Sequence, residues 1–340
     1  MNGKKFITIE SNGFQDMRGG AFVSSKAVPA RLSTRSRLKW GKYLKRYWTL
    51  YLLLLLPIAF FTLFRYVPMS YILLAFKKNN ILQPPWKVAW AKNSGFEWFI
   101  KAFSNRDFLY ALKNTLTLNL LDLVIGSPAP IIMALLLNEL AFKRFKRVTQ
   151  TILYLPHFLS WIIISGLSLR LLADTDGLVN IMLKRMGLSS IPFLSDPTHW
   201  VATYIFLGIW KECGWNTIIY LAALTSISPE LYEAAEVDGC NRIRRIISIT
   251  IPCIMPTIIT MLLLKIGGLM SSGYEKIILM YNPASYETAD TLSTYSYRAG
   301  ILDGKLSLST MIGLFNSVCN LVLLTASNWF SKKFSDTSLY

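Results

Sequence analysis

Long apolar stretches alternate with shorter polar stretches along the 340 residues of this chain. An α-helix needs about 20 mainly apolar residues to cross the hydrocarbon core of a bilayer, and about six of the stretches are near that length or longer. The pattern therefore predicts an all-α, polytopic membrane protein with about six transmembrane helices. The predicted spans are Tyr47–Val67, Leu109–Leu140, Thr149–Leu172, Trp200–Leu224, Ile249–Met270 and Leu306–Phe330. Gly126, Pro128 and Pro130 predict a kink in the second span.

Composition supports this class of protein. Hydrophobic residues make up 53% of the chain and charged residues only 16%, whereas soluble domains average about 25% charged residues. Residues 1–46 contain no apolar stretch followed by a processing site, so no cleavable signal peptide is expected before the first span. The net charge of +17 is explained better by membrane topology and attraction to anionic lipid than by nucleic-acid binding, because no nucleic-acid-binding motif is visible.

Lysine and arginine are concentrated in four segments beside the predicted spans. Eleven of them precede residue 47, and the connectors 141–149 and 225–252 and the C-terminal end hold further groups. Cytoplasmic segments carry such an excess, which predicts a basic cytoplasmic tail at 1–46, a transmembrane domain at 47–330 and a cytoplasmic end at 331–340. Both termini are then cytoplasmic. Segment 67–109 also carries six lysines and arginines but is assigned outside, because long loops follow the rule less strictly.

The connector 225–252 predicts a short polar helix between the fourth and fifth spans. Ser228 suits the N-cap, Pro229 suits the first turn, and Gly239 suits a positive-φ stop after Asp238. Within the helix, small and short side chains share one face on which another protein could lie closely: Leu231, Ala234, Ala235 and Asp238. An amphipathic helix that only rests at the lipid headgroups is the alternative.

The same connector carries a specific spacing pattern, Glu-Ala-Ala, three residues, Gly, nine residues, and Ile-x-apolar-Pro. Its fixed positions are Glu233, Ala234, Ala235, Gly239, Ile249, Ile251 and Pro252. The pattern resembles the cytoplasmic signature loop of bacterial ABC importer permeases, with small departures at Cys240 and Ile251. Segments 95–116 and 273–301 are similar to permeases of the carbohydrate-uptake type, and the second of them resembles the branch that imports fragments of complex polysaccharides.

That resemblance implies a permease subunit with no catalysis of its own. The implied partners are a second homologous permease subunit, two ATPase subunits that carry ATP and Mg²⁺ and contact the signature loop, and an extracellular solute-binding protein that delivers a sugar, an oligosaccharide in this branch. The implied location is the bacterial cytoplasmic membrane. No phosphate-binding loop or nucleophile motif occurs in the sequence, and the four cysteines and two histidines show no metal-site spacing, so neither a cofactor nor a metal is expected in this chain.

Four ionisable residues fall in the middle of predicted spans: Asp122, Lys211, Glu212 and Lys265. Each costs at least about 2.5 kcal/mol at the bilayer centre unless it faces a partner or water. They form either a structural network, with Asp122 paired to Lys265 or to Lys211, or the lining of a polar path. Lys211 and Glu212 are adjacent and point about 100° apart on a helix, so they are not expected to pair well. An ion-coupled carrier or a membrane-embedded enzyme that uses the carboxylates is the alternative function.

Glu212, Asn216 and Tyr220 follow at intervals of four and therefore share one face of the fourth span. With Trp215 nearby, this region offers hydrogen-bonding groups and flat rings, which a sugar-binding surface needs. The candidate substrate path consists of six residues: Glu212, Trp215, Asn216, Tyr220, Tyr274 and Glu275. Packing against lipid or the protein core is the alternative for the aromatic members.

Overall fold

The computed structural model describes residues 40–80, 82–271, 273–282 and 285–335. The described residues divide into two units, one up to Ala59 and one from Phe60 onward. The described residues contain no β-strand and one isolated β-bridge, between Lys77 and Trp90. The predicted all-α fold is confirmed. We number the main helices in chain order: α1 Trp40–Phe61, α2 Glu97–Phe103, α3 Arg106–Asn138, α4 Lys143–Phe158, α5 Trp161–Leu171, α6 Leu178–Arg185, α7 Pro197–Thr225, α8 Pro229–Val237, α9 Arg242–Gly267, α10 Tyr274–Met280, α11 Tyr286–Ala289, α12 Leu292–Tyr297 and α13 Leu306–Ser335.

Four helices in the described ranges are long and apolar enough to cross a membrane: Tyr43–Phe76, which extends α1, then α3, α9 and Leu306–Lys333 of α13. The pair α4 and α5 makes a fifth if it counts as one span, but the two helices are bent by 97°. The continuous third span expected over 149–172 is therefore broken. Leu159 and Ser160 at the break have extended backbones, and Ser160 begins α5 by accepting a hydrogen bond from the Ile163 N–H.

Helix α7 contains the predicted fourth span and has 29 residues, enough to cross a bilayer. It is not among the strongly apolar helices because its middle carries Lys211 and Glu212. The helix begins where Asp196 accepts hydrogen bonds from the N–H groups of Thr198 and His199, both at 3.0 Å. The His199 N–H is the main reason why the pKa of Asp196 lies below its ordinary value.

Several boundaries differ from the sequence prediction. Residues 40–46, expected in the basic tail, already belong to α1, while residues 1–39 lie outside the described part of the chain. At the other end, α13 continues through 331–335, and residues 336–340 are not described. The connector 225–252 holds α8 and the start of α9, so its arginine-rich second half is continuous with the fifth span.

Wide π-helical turns precede three prolines that stand inside long helices. The turns are Thr62–Tyr66, Asp122–Gly126 and Ile246–Thr250, and the prolines are Pro68, Pro128 and Pro252. A proline has no N–H to donate, and its ring crowds the carbonyl four residues earlier, so a wider turn accommodates it without ending the helix. The irregularity that the sequence predicted around Gly126 and Pro128 has this form.

Among the described residues from Phe60 onward, three apolar clusters form the interior. Phe108 and Met311 belong to the first, Trp200 and Ile277 to the second, and Tyr220 with Ile254 to the third. Helix α7 contributes to the second and third clusters and packs along the second half of α3. This packing holds α3, α7, α9 and α10 around a cavity.

Candidate functional site

A cavity of about 690 Å³ lies among α3, α5, α7, α9 and α10. Five of the six residues predicted for a substrate path line it: Glu212, Asn216, Tyr220, Tyr274 and Glu275. The first three come from one face of α7, and the other two come from the first turn of α10, which Gly273 starts with φ of +84°. The cavity thus brings together the two segments that the sequence analysis had placed in one candidate substrate path.

Trp215 is the exception, because it is not among the residues that line the cavity. Its ring stacks on the ring of His157 at the end of α4, with a centroid distance of 4.4 Å and an interplanar angle of 3°. It also meets Phe158 edge to face. One position before Asn216, Trp215 points about 100° away around the helix. The helical spacing therefore separates it from the Glu212, Asn216 and Tyr220 face.

Glu212 has two partners. Its Oε2 atom lies 2.9 Å from Nδ1 of His157, and its Oε1 atom lies 3.2 Å from Nζ of Lys211. The expectation that Lys211 and Glu212 do not pair was wrong. The long lysine side chain curves along the helix to the end of α4, where it also donates to the His157 carbonyl at 2.7 Å. His157 is thus held by both neighbours on α7.

Asp122 and Lys265 form the second charged pair of the cavity. The Lys265 ammonium lies 2.9 Å from the Asp122 carboxylate and donates to the Asp122 carbonyl at 2.9 Å and to the Ser127 hydroxyl at 3.1 Å. This is one of the two pairings that the sequence analysis proposed for Asp122. The π turn at 122–126 and the residue after it present the acceptors, so the pair connects α3 to α9 beside the cavity.

Lys276 on α10 lines the same cavity and was missed by the sequence analysis. Its residue exposure is only 6%. The ammonium lies 3.4 Å from the centroid of the Tyr204 ring and 5.4 Å from that of Trp161. In the part of the chain that the structure describes, no carboxylate oxygen lies within 4.0 Å of it. One signal in the sequence could have indicated that Lys276 is buried. The apolar run that follows it, Ile277 to Met280, is typical of a helix packed against the protein interior.

The signature connector has the predicted helix and stop. Gly239 has φ of +73°, and the Cys240 N–H donates to the Ala235 carbonyl at 2.9 Å, which closes the C-terminal turn of α8. Ser228 occupies the N-cap position, but its side chain makes no capping hydrogen bond, contrary to expectation. Of the predicted small-residue face, Ala235 is buried, whereas Leu231, Ala234 and Asp238 are exposed.

Helix α8 is attached to the beginning of α9 by side chains. The Tyr232 hydroxyl lies 3.0 Å from the Thr250 hydroxyl, and Arg245 lies 3.4 Å from Glu236. Of the pattern residues, Glu233 and Pro252 are exposed and Ile249 is half-buried. A force applied to the exposed surface of α8 therefore has a direct route into α9.

Comparison with known proteins decides the class. Residues 126–336 match the profile of the family described as "Binding-protein-dependent transport system inner membrane component". The chain belongs to this family. The permease is 40% identical to the protein LplB of Bacillus subtilis (strain 168), over 94% of this chain and 99% of that one. It is also 40% identical to the polygalacturonan/rhamnogalacturonan transport system permease protein YteP of the same organism, over 92% of this chain and 96% of that one.

A chain in a crystal structure of a bacterial ABC transporter involved in the import of the acidic polysaccharide alginate has the same fold. The TM-score is 0.80 at 42% sequence identity, over 87% of this chain and 99% of that one. A chain of the alginate transporter in complex with an alginate pentasaccharide-bound periplasmic protein gives a TM-score of 0.82 at 41% identity. This chain is thus a transport subunit of an ABC importer, and ATP hydrolysis takes place on a separate subunit.

No group of three or more His, Cys, Asp or Glu side chains with metal-site geometry occurs among the described residues. The family assignment also disfavours the ion-coupled carrier and the membrane-embedded enzyme that the mid-span carboxylates had left open. Two roles then remain for these carboxylates: binding a ligand in the cavity and holding helices together. Asp122 and Glu212 both combine the two, because each lines the cavity and pairs with a lysine.

Proposed function

We propose that the permease carries oligosaccharides, fragments of a complex polysaccharide, across the bacterial cytoplasmic membrane through the α3–α7–α9–α10 cavity. The cavity lining carries this proposal. Glu212 and Asn216 offer a carboxylate and an amide to sugar hydroxyls, while Trp161 offers a flat ring to the apolar face of a sugar. A cavity of about 690 Å³ is within the usual range for ligand pockets, about 300 to 1,000 Å³.

The names of similar proteins support a carbohydrate substrate. YteP is named for polygalacturonan and rhamnogalacturonan, and the structural neighbour transports alginate. The permease AraP of Bacillus subtilis, 27% identical over 82% of this chain, is named for arabinooligosaccharides. All three names refer to polymers or oligomers of sugars rather than to amino acids, metals or vitamins. We therefore propose an oligosaccharide as substrate of this permease.

Four kinds of partner complete the proposed transporter. They are a second, homologous permease subunit, two ATPase subunits that bind ATP and Mg²⁺, an extracellular solute-binding protein and the lipid bilayer. The alginate transporter crystallised with a periplasmic protein that carried the sugar, which supports the binding-protein partner. Both termini of the permease face the cytoplasm in this scheme. Six residues at the α8–α9 connector form the proposed ATPase contact: Glu233, Ala234, Ala235, Gly239, Ile249 and Pro252.

The proposed mechanism follows from the contacts between helices. Closure of the ATPase subunits moves α8, and the Tyr232–Thr250 hydrogen bond passes the movement to α9. Helix α9 carries Lys265, whose pairing with Asp122 extends the movement to α3 on the other side of the cavity. A change in the angle between α3 and α9 then opens the cavity alternately to the two sides of the membrane.

Uptake by the reconstituted transporter tests this function. The permease is assembled in vesicles with a second permease subunit, ATPase subunits and a solute-binding protein from the same organism, and four probes are offered: oligogalacturonates, rhamnogalacturonan fragments, oligoalginates and arabino-oligosaccharides. We expect ATP-dependent accumulation of at least one probe, unaffected when an ionophore collapses the proton gradient. Accumulation of none of them, or accumulation that the ionophore abolishes while ATP is intact, contradicts the proposal.

A further inference from the structure

Lys276 lines the cavity but, unlike the neighbouring lysines, is not paired with a carboxylate among the described residues. Lys265 lies 2.9 Å from the Asp122 carboxylate, and Lys211, beside the cavity, lies 3.2 Å from the Glu212 carboxylate. Lys276 is as buried as Lys211, with exposures of 6% each, but has no carboxylate within 4.0 Å in the described ranges. Two of the carboxylates that line the cavity, Asp122 and Glu212, already pair with other cations.

The contacts of Lys276 leave its hydrogen-bonding capacity unused. An ammonium group has three N–H donors and prefers oxygen acceptors. Among the described residues, its ammonium lies against the Tyr204 and Trp161 rings, 3.4 Å and 5.4 Å from the ring centroids. Ring faces attract a cation but replace an oxygen acceptor only in part. A buried ammonium held this way is suited to an anion that arrives with a ligand.

The opposite helix leaves room for this group. Gly208 of α7 faces the ammonium, and a Cβ atom at that position would lie 2.5 Å from Nζ of Lys276. Any larger residue at 208 pushes the ammonium from its place between α7 and α10. Gly208 therefore allows the ammonium of Lys276 to lie at the cavity wall beside the Tyr204 ring.

We propose that Lys276 is the subsite that binds a carboxylate of the substrate, and that the permease therefore transports acidic oligosaccharides, those that contain uronic acid units. This inference rests on the proposed function and narrows its substrate class. A uronic acid unit has a carboxylate at one end of a sugar ring, which matches an ammonium next to aromatic faces. The amide of Asn216 in the same cavity is available to hydroxyl groups of the sugar.

A pair of probes that differ in charge, with one added methyl group per carboxylate, tests the inference. Trigalacturonate and trimannuronate are offered to the complete reconstituted transporter, each also as its methyl ester, and the better-transported pair is used. We expect the wild-type KM for the acid to be at least tenfold below that for the ester. Lys276→Gln should raise the KM for the acid at least tenfold and change the KM for the ester less than twofold. Lys305→Gln, which removes a charge from an exposed lysine paired with Asp303, is the matched control and should change neither.

Gly208→Ala provides a second variant that keeps the charge but displaces it. We expect a three- to tenfold rise in the KM for the acid and little change for the ester. An equal loss for acid and ester, failure of Lys276→Gln to assemble, or unchanged kinetics in both variants overturns the inference. A wild-type transporter that takes up acid and ester equally well also overturns it but leaves the proposed function standing. Failure of all oligosaccharide probes contradicts the proposed function itself.

Discussion

The ammonium of Lys265 lies 2.9 Å from the carboxylate of Asp122, and this contact joins α9 to α3 beside the cavity. The two side chains are 37% and 33% exposed, so solvent screens the pair in part. The same ammonium binds the Asp122 carbonyl and the Ser127 hydroxyl. Lys265 is thus fixed by three acceptors to the π turn of α3 and the residue that follows it, and a shift of α9 carries this part of α3 with it.

Removing one member of this pair should destabilise the permease. We expect Asp122→Asn to lower the free energy of unfolding by roughly 1–2 kcal/mol, less than for a fully buried pair because solvent reaches both groups. Thermal unfolding of the purified complex measures the change. Asp303→Asn breaks the exposed pair with Lys305 and should cost less than about 0.5 kcal/mol. If the two variants are equally stable, the Asp122 contact does not hold α3 to α9.

A close approach between α4 and α7 should be sensitive to a single methyl group. A Cβ atom on Gly214 would lie 2.0 Å from the Leu153 carbonyl oxygen, whereas one on Gly166 of α5 would meet nothing within 4 Å. Because a backbone carbonyl cannot move aside alone, Gly214→Ala should cost roughly 3 kcal/mol or more or prevent assembly. Gly166→Ala should be neutral or stabilising by up to about 1 kcal/mol. Yield and melting temperature of the complex distinguish the two; a Gly214→Ala complex as stable as the wild type contradicts the packing described.

The sequence predicted the features that local patterns determine. Spacing at intervals of four placed Glu212, Asn216 and Tyr220 on one face, and the structure brings all three to one cavity. The requirement for positive φ at Gly239 was equally local and is confirmed. The Asp122–Lys265 pair was one of two possibilities, because charge and hydropathy indicate that a partner is needed but do not select it.

Features that depend on contacts between distant helices were not predicted. Lys276 lies in a segment assigned outside the membrane, so nothing in the sequence placed it against Tyr204 of α7. The 97° break between α4 and α5 was missed because apolar residues continue through it. The pairing of Lys211 with Glu212 was not expected, because adjacent side chains leave a helix in directions about 100° apart. A lysine side chain is long enough to reach across that angle, and the pair forms.

Backbone strain at the end of α8 should affect the coupling of ATP hydrolysis to transport more than it affects the stability of the fold. Gly239 and Gly187 end helices in the same way: φ is +73° and +79°, and a Cβ atom meets nothing within 4 Å at either site. Alanine at each position should cost about 1 kcal/mol of stability. We expect Gly239→Ala alone to lower the number of sugars transported per ATP hydrolysed, at least threefold, because it tilts α8 against α9.

Uptake and ATP hydrolysis measured on the same vesicles give this ratio. Gly187→Ala serves as the control for strain, since it lies after α6 and far along the chain from the connector. Equal ratios in the two variants would show that the turn at Gly239 has no special role in coupling.

Accessibility of the cavity face of α7 to an aqueous reagent tests the central claim most directly. In a background that lacks Cys213, Cys240, Cys253 and Cys319, cysteine replaces Asn216, which lines the cavity, or Phe206, which lies in an apolar groove on another face of the same helix. A small charged thiol reagent should modify Asn216→Cys but not Phe206→Cys, and the transported oligosaccharide should slow the reaction at 216 at least fivefold in the assembled transporter. If position 216 is inert in every nucleotide state, or reacts at a rate that substrate does not change, the cavity is not the translocation path.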